Sequence, residues 1–340
     1  MGGIPMTRSG VLTDQSRPVI VIPDDINDAY RDSADLDRLH EIAEVVVHGS
    51  RPQDERELIE RTRGANTILS FRPAFTKFPA SVIRSASSLR LICISGTGVE
   101  DVDVAEATRR GIAVANVVGS ANRAVAELCL ALMFSVARAV PAQDRSIRSG
   151  GWKSWQGMEL GGKTLGIIGL SGIAIELATM ARGLGMRVIS WSRNNDPVRA
   201  VKAGSIAVPL EVLLSQADVV SLHLRLNDET RNFLDAGRLA RMKPGAILIN
   251  TARGGLIAEA ALIDALRSGS LTGAGLDVFA TEPLAADNPL RDMDNVVMTP
   301  VSGWNTLDSS RRMISQSIDN VVKFNAGQPS NVVNAAALTK

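Results

Sequence analysis

The segment Thr164-Leu-Gly-Ile-Ile-Gly-Leu-Ser-Gly-Ile-Ala174 holds the most legible chemistry in this 340-residue sequence. An apolar run leads into Gly169, and the frame G-x-G-x-x-G/A is filled by Gly169, Ser171 and Ala174. In that frame the first glycine makes a tight turn and the last small residue lets helix and strand pack. The pyrophosphate of a dinucleotide lies on the helix N-terminus, which Gly172 and Ile173 open here. The middle position calls for glycine, because backbone must approach phosphate there. Ser171 departs from that, either crowding the phosphates with its side chain or hydrogen-bonding one with its hydroxyl. Gly172, directly after it, restores some freedom. The next strand ends Val188-Ile-Ser-Trp-Ser-Arg-Asn194, with no acid before Asp196 to take a ribose 2′-hydroxyl. Ser192 and Arg193 stand there instead. A guanidinium pairs well with a 2′-phosphate, so NADP(H) is favoured and NAD(H) stays possible. The competing reading stacks Arg193 on the adenine or leaves it in solvent.

Two further positions draw attention. Arg253 follows a strand-end Asn-Thr-Ala and precedes two glycines, a pattern that suggests close approach by a ligand. Glu282 stands before Pro283, where a solvated loop residue is equally expected. The two cysteines, Cys93 and Cys129, lie in apolar runs and read as buried free thiols, which fits a reducing cytoplasm. The three histidines, His40, His48 and His223, have no spacing to another ligand, so no metal site is expected. The net charge of +1 invites neither nucleic acid nor an anionic membrane. No apolar run reaches bilayer-spanning length. Residues 1–16 are polar and Gly/Ser-rich, and a flexible tail is expected there.

These residues need elements to hold them. Short β-branched runs at Val19–Ile22, Val45–Val47, Thr67–Leu69, Leu91–Ile94 and Ala113–Asn116 alternate with amphipathic stretches such as Asp54–Thr62 and Val102–Arg110. That is a βα rhythm and predicts a parallel sheet covered on both faces. A helical segment over about Asn122–Ser149 follows, bent or broken at Pro141. A second series then places strands at Thr164–Ile168, Arg187–Ser190, Val219–Leu222, Ala246–Ile249, Gly273–Asp277 and Val296–Met298, the six of a Rossmann sheet. A last helix, about Leu307 to Phe324, precedes no strand and is expected to return to the first domain. The fold class is therefore α/β with two Rossmann-like domains, the first flavodoxin-like. Expected bounds are 17–116 with 305–330 for a substrate domain and 117–304 for an NAD(P)-binding domain.

Six segments in order resemble one family: Gly96-Thr-Gly-Val-Glu-Asp-Val-Asp103, Ala124-Val-Ala-Glu127, Gly162 to Gly169, Val220-Ser-Leu-His-Leu224, Asn250-Thr-Ala-Arg-Gly-Gly-Leu-Ile257 and Gly275-Leu-Asp-Val-Phe-Ala-Thr-Glu-Pro-Leu284. The chain resembles the D-isomer-specific 2-hydroxyacid dehydrogenases, the group that includes phosphoglycerate, glyoxylate/hydroxypyruvate and formate dehydrogenases. The resemblance implies hydride transfer between a nicotinamide and a small 2-oxo or 2-hydroxy acid. It makes Arg253 the residue that grips the carboxylate and polarises the carbonyl, and Glu282 the partner of a catalytic histidine. It assigns the substrate carboxylate to backbone amides around Ser95, Gly96, Thr97 and Gly98, with Arg72 assisting. Gly98 to Glu100 and Trp304 would line the pocket. It sets Asp277 near the nicotinamide amide, Thr251 and Ala252 beside the cofactor, and His223 at a strand end near it. A homodimer is also implied.

The resemblance breaks at one essential place. The family's histidine follows Thr-Pro, and here Met298-Thr-Pro-Val301 puts Val301 in that position. Valine neither donates nor accepts a proton, and a positioned acid contributes about 10²–10⁴-fold to rate. Glu282 is left without its partner. Arg225 is a second departure, since the family often has proline or another apolar residue there. It would either add a cation near the cofactor or point outward. Ser171 is a third. Three readings stand: an oxidoreductase with atypical proton transfer or a substrate that needs none, a non-redox enzyme such as a lyase or hydratase with Glu282 as base, and a cofactor-binding protein with little catalysis.

Overall fold

Apolar runs without alternation must be buried on both faces, and five of them form the first sheet. The computed structural model describes residues 17–194 and 196–339; the expected N-terminal tail lies outside them. Strands β1 (Val19–Ile22), β2 (Glu44–Val47), β3 (Thr67–Ser70), β4 (Leu91–Ile94) and β5 (Ala113–Asn116) pair in the order 2-1-3-4-5, every pair parallel. Alternate residues of the same strands feed two separate cores. Val21, Ile68, Ile92 and Val114 go to one face, and Ile20, Ile22, Leu69, Leu91 and Cys93 to the other. The second core is completed by the helix Leu307–Asn325, whose Ile314, Ile318 and Val321 recur at helical spacing on one stripe. Residues 17–118 and 311–339 thus form one compact unit.

Gly119–Ser310 forms the other. Its strands are β6 (Thr164–Ile168), β7 (Arg187–Trp191), β8 (Ile206–Ala207), β9 (Val219–Leu222), β10 (Ala246–Asn250), β11 (Leu271–Leu276) and β12 (Val296–Met298). They pair in the order 12-11-10-9-6-7-8, again all parallel. The sequence predicts six of these seven strands. The seventh, β8, is two residues at the sheet edge with both residues exposed, too short and too open to leave a periodic signal. The order reverses between β6 and β9, which is where doubly wound sheets bind their ligands.

The segment predicted as one helix from Asn122 is two, Asn122–Ala137 and Val140–Arg148, inclined at 62°. The break is not at Pro141. Ala139 takes a left-handed backbone (φ +48°) and Pro141 sits in the first turn of the second helix, where its fixed φ and missing N–H are tolerated. The proline starts a helix rather than interrupting one. The first helix is core, with Cys129, Leu132, Met133 and Val136 buried against Leu165, Ile167, Ile247 and Ile249. Among the described residues no single helix is long and apolar enough to cross a membrane.

Candidate active site

The register of the larger sheet places Trp191, Ile168, Leu222, Asn250, Leu276 and Met298 side by side at the carboxyl ends of β7, β6, β9, β10, β11 and β12. Every site position predicted in this unit lies within a few residues beyond that row. The parallel sheet gathers into one line what the sequence scatters over more than a hundred positions.

At the β6 end Gly169 has φ +94°, and its N–H donates to Trp191 O at 2.8 Å. A Cβ at Gly169 would stand 2.9 Å from the His223 carbonyl carbon and oxygen, so only glycine fits. Ser171 then caps the helix Gly172–Gly183: its Oγ accepts from Ala174 N at 3.2 Å. The Ser171 hydroxyl thus accepts from its own helix, and its O–H is left to donate. The amides of Gly172 and Ile173 donate to no acceptor among the described residues, and they point a helix N-terminus at the turn. The residues present can hold a pyrophosphate.

At the β7 end Ser192 Oγ accepts from Asp196 N (3.4 Å), and the exposed Arg193 pairs with the exposed Glu229. An ion pair this open contributes about 0–1 kcal/mol and yields readily to a better anion. A second cation escaped the sequence reading. Arg199 Nη1 donates to Leu170 O at 2.8 Å, inside the nucleotide turn, while its Nε lies 3.5 Å from Asp196. Asp196 caps the helix that begins at Pro197, and an acid-proline start followed by a basic residue was the available signal.

At the β9 end His223 is buried, its Nε2 2.9 Å from Ser221 Oγ. Burial pushes its pKa down to about 4, so it is neutral near pH 7 and makes a poor acid. Arg225 is exposed, and its backbone carbonyl accepts from Thr230 Oγ1 at 2.6 Å.

Beyond β10, Thr251 Oγ1 meets Cys129 Sγ at 3.0 Å. Burial drives that thiol up to about 12, leaving it protonated. Ala252 N donates to Asn250 Oδ1 (3.0 Å) and Asn250 Nδ2 to Arg253 O (2.9 Å), so Asn250 braces the turn that presents Arg253. Arg253 is exposed, with Nη1 on Ala252 O at 2.7 Å. The glycine after it answers to the protein rather than to a ligand, which corrects the sequence reading: a Cβ on Gly254 would lie 1.9 Å from the Phe279 carbonyl carbon and 2.4 Å from Ala280 N. The Arg253 turn and the loop after β11 are pressed backbone to backbone. That loop carries Glu282, exposed, with Oε1 accepting from Phe279 N at 2.9 Å. Glu282 is therefore not unpartnered.

Asp277, at the β11 end, has a larger structural task than the sequence indicated. Its carboxylate accepts from Thr299 Oγ1 (2.6 Å), Ser302 N (2.8 Å) and Gly303 N (3.0 Å), and its carbonyl accepts from Val301 N (2.9 Å). Both carboxylate oxygens are engaged by the chain's own turn. The residue so held, Val301, has φ +54°. A β-branched side chain is a true outlier in that left-handed region, where His, Asn and Asp are enriched among non-glycine residues.

In the other unit Ser70, Ile94 and Asn116 align at the ends of β3, β4 and β5, and the predicted substrate residues follow them. The amides of Ser95 and Gly96 are consumed internally, by Ser70 O and Ile94 O, both at 2.9 Å. Only those of Thr97 and Gly98 donate to no acceptor among the described residues, which narrows the predicted anion cradle to two amides. Arg72 is also committed: Nη1 pairs with Asp101 and Nη2 with Glu100 at 3.3 Å, under a guanidinium 5.4 Å from the Phe75 ring. Arg72 is thus shared by two carboxylates of the following loop.

Residues 130–303 match the model of the D-isomer specific 2-hydroxyacid dehydrogenase NAD binding domain. The chain is 36% identical over 290 residues to a glyoxylate reductase of Korarchaeum cryptofilum, covering 83% of this chain and 87% of that one. It is 38% identical over 291 residues to a glycerate dehydrogenase of Methylorubrum extorquens, covering 82% and 88%. Among solved structures, an acyclic imino acid reductase in complex with NADPH and D-Arg superposes with a TM-score of 0.81 at 30% identity, covering 93% of this chain and 99% of that one. The shared row of strand ends, the glycine turn and these matched lengths have one meaning: this chain belongs to the D-isomer specific 2-hydroxyacid dehydrogenase family.

Proposed function

We propose that this family member is an NADP(H)-preferring oxidoreductase of small 2-oxo or 2-hydroxy acids in which the usual proton donor is missing. The observation that supports it best is the alignment of the nucleotide turn, Arg253 and Glu282 along one sheet edge, with the Val301 turn on the same edge. When bound, the nicotinamide supplies or accepts hydride. The chain's own contribution is to bind and orient. Gly172 and Ile173 amides take the pyrophosphate, and Arg253 grips the carboxylate bidentately and stabilises negative charge growing on oxygen. The preference for NADP(H) rests on Arg193 and Arg199 at the β7 side, where Ser192 and Arg193 stand at the strand end in place of an acid. The NADPH held by the imino acid reductase is consistent with it. A homodimer is part of the proposal, through the exposed Phe134, Val140, Ile147 and Trp152 on neighbouring stretches of chain.

Calorimetric titration with NADPH and then NADH tests the cofactor. NADPH is expected to bind at least about tenfold more tightly, some 1.4 kcal/mol, and Arg193→Ala to narrow the gap. Equal binding would remove the 2′-phosphate assignment. Binding of neither would shift weight to the non-redox reading with Glu282 as base.

A further inference from the structure

Resting on that oxidoreductase reading, we propose that the electrophile reduced here is the protonated imine of a 2-oxo acid, an iminium, rather than the free 2-oxo acid. Reduction of a carbonyl leaves an alkoxide that needs a proton at once. Position 301 has none to give. The hydroxyl of Thr299 is turned onto the Asp277 carboxylate, as is the Ser302 amide. His223 is buried, neutral and hydrogen-bonded to Ser221. Glu282 makes matters worse for an oxo acid. In the place that the resemblance gives it, with no imidazole between, its carboxylate opposes negative charge growing on the substrate oxygen.

An iminium reverses each of these terms. It arrives protonated, formed in solution when an amine condenses with the oxo acid and water leaves. Hydride adds to the iminium carbon, the C=N π pair moves onto nitrogen as a lone pair, and the reduced nicotinamide is oxidised. No proton is taken up in that step; the neutral amine gains one from water afterwards. The N–H donors of the cation suit Glu282, whose Oε1 is held by Phe279 N while Oε2 has no partner among the described residues. Arg253 keeps its role on the carboxylate.

The test has a binding arm and a turnover arm, both on the full chain. In calorimetry of the NADP⁺-loaded protein, D-alanine is expected to bind about tenfold more tightly than D-lactate. With NADPH and pyruvate, adding methylamine or ammonium is expected to speed nicotinamide oxidation at least about tenfold over pyruvate alone. Val301→His is expected to raise reduction of pyruvate alone by a similar factor and so narrow that preference. Pyruvate reduced equally fast with and without amine, or D-lactate bound as tightly as D-alanine, would overturn the iminium while leaving the oxidoreductase standing. NADPH binding with neither turnover nor a preference for D-alanine also overturns it. Failure to bind NADPH would sink both readings.

Discussion

Val301 and His223 are two residues whose side chains disagree with what their positions would ordinarily ask of them. Val301 occupies a left-handed backbone, φ +54°, anchored by its N–H to Asp277 O. The Cβ–carbonyl clash there costs about 1–2 kcal/mol, and β-branching adds to it. Val301→Asn is therefore expected to raise stability by about 1 kcal/mol in a urea titration, an unusual sign for a polar replacement of a half-buried valine. A lowered midpoint would mean that the turn carries no strain. His223 bears on pH. Its folded pKa of about 4 lies below the ordinary 6.5 because burial disfavours the charged ring. Between those values the unfolded chain binds a proton that the folded chain does not. The stability linked to His223 is thus complete above about pH 6.5 and is lost as pH falls toward about 4, by on the order of 3 kcal/mol in all. His223→Gln keeps a hydrogen-bonding partner for Ser221 and should flatten that part of the acid slope. Urea midpoints at about pH 7 and pH 4.5 for both proteins check it, and an equally steep fall in the variant would assign the slope to other groups.

At the scale of elements, the decisive contact is between two turns rather than two side chains. The Arg253 turn after β10 and the loop after β11 touch through Gly254, and no Cβ fits between Gly254 and the Phe279–Ala280 peptide. Gly254→Ala must part the turns, which moves Arg253 and Glu282 away from each other. A loss of about 3 kcal/mol or more of stability is expected, at the upper end for single substitutions, together with loss of turnover. A variant that melts like the parent in a thermal scan would show that the loops part at no cost. The same scale explains the Ser171 departure. A residue at a helix N-cap gains from a hydroxyl, and Ser171 uses its own on Ala174 N. It serves the helix while Gly172 and Ile173 keep their amides for the ligand.

At the scale of the molecule, the parallel order 12-11-10-9-6-7-8 converts scattered motifs into a line. Successive strands β6, β7 and β8 run outward one way and β9 to β12 the other, so the nucleotide turn sits at the reversal and the Arg253, Glu282 and Val301 turns extend along one side. The cofactor titration and the amine test belong to this scale, because both ask whether the whole edge works as one site.

The sequence alone determined the two βα series, the covered parallel sheets, the glycine turn and the arginine at the β7 end. Each leaves a local mark: a run of β-branched residues, a glycine frame, a basic residue after a strand. The helix break was read from Pro141 and lies instead at Ala139, because a first-turn proline and a mid-helix proline look alike in sequence. Other features have no local mark. That Gly254 faces the protein's own backbone, that Arg72 is neutralised by Glu100 and Asp101, that Arg199 reaches Leu170, and that Asp277 holds the Val301 turn all depend on contacts between distant segments. The left-handed backbone at 301 is of the same kind. Valine gives no hint of it, since the hydrogen bonds of the surrounding turn impose it against the residue's own preference.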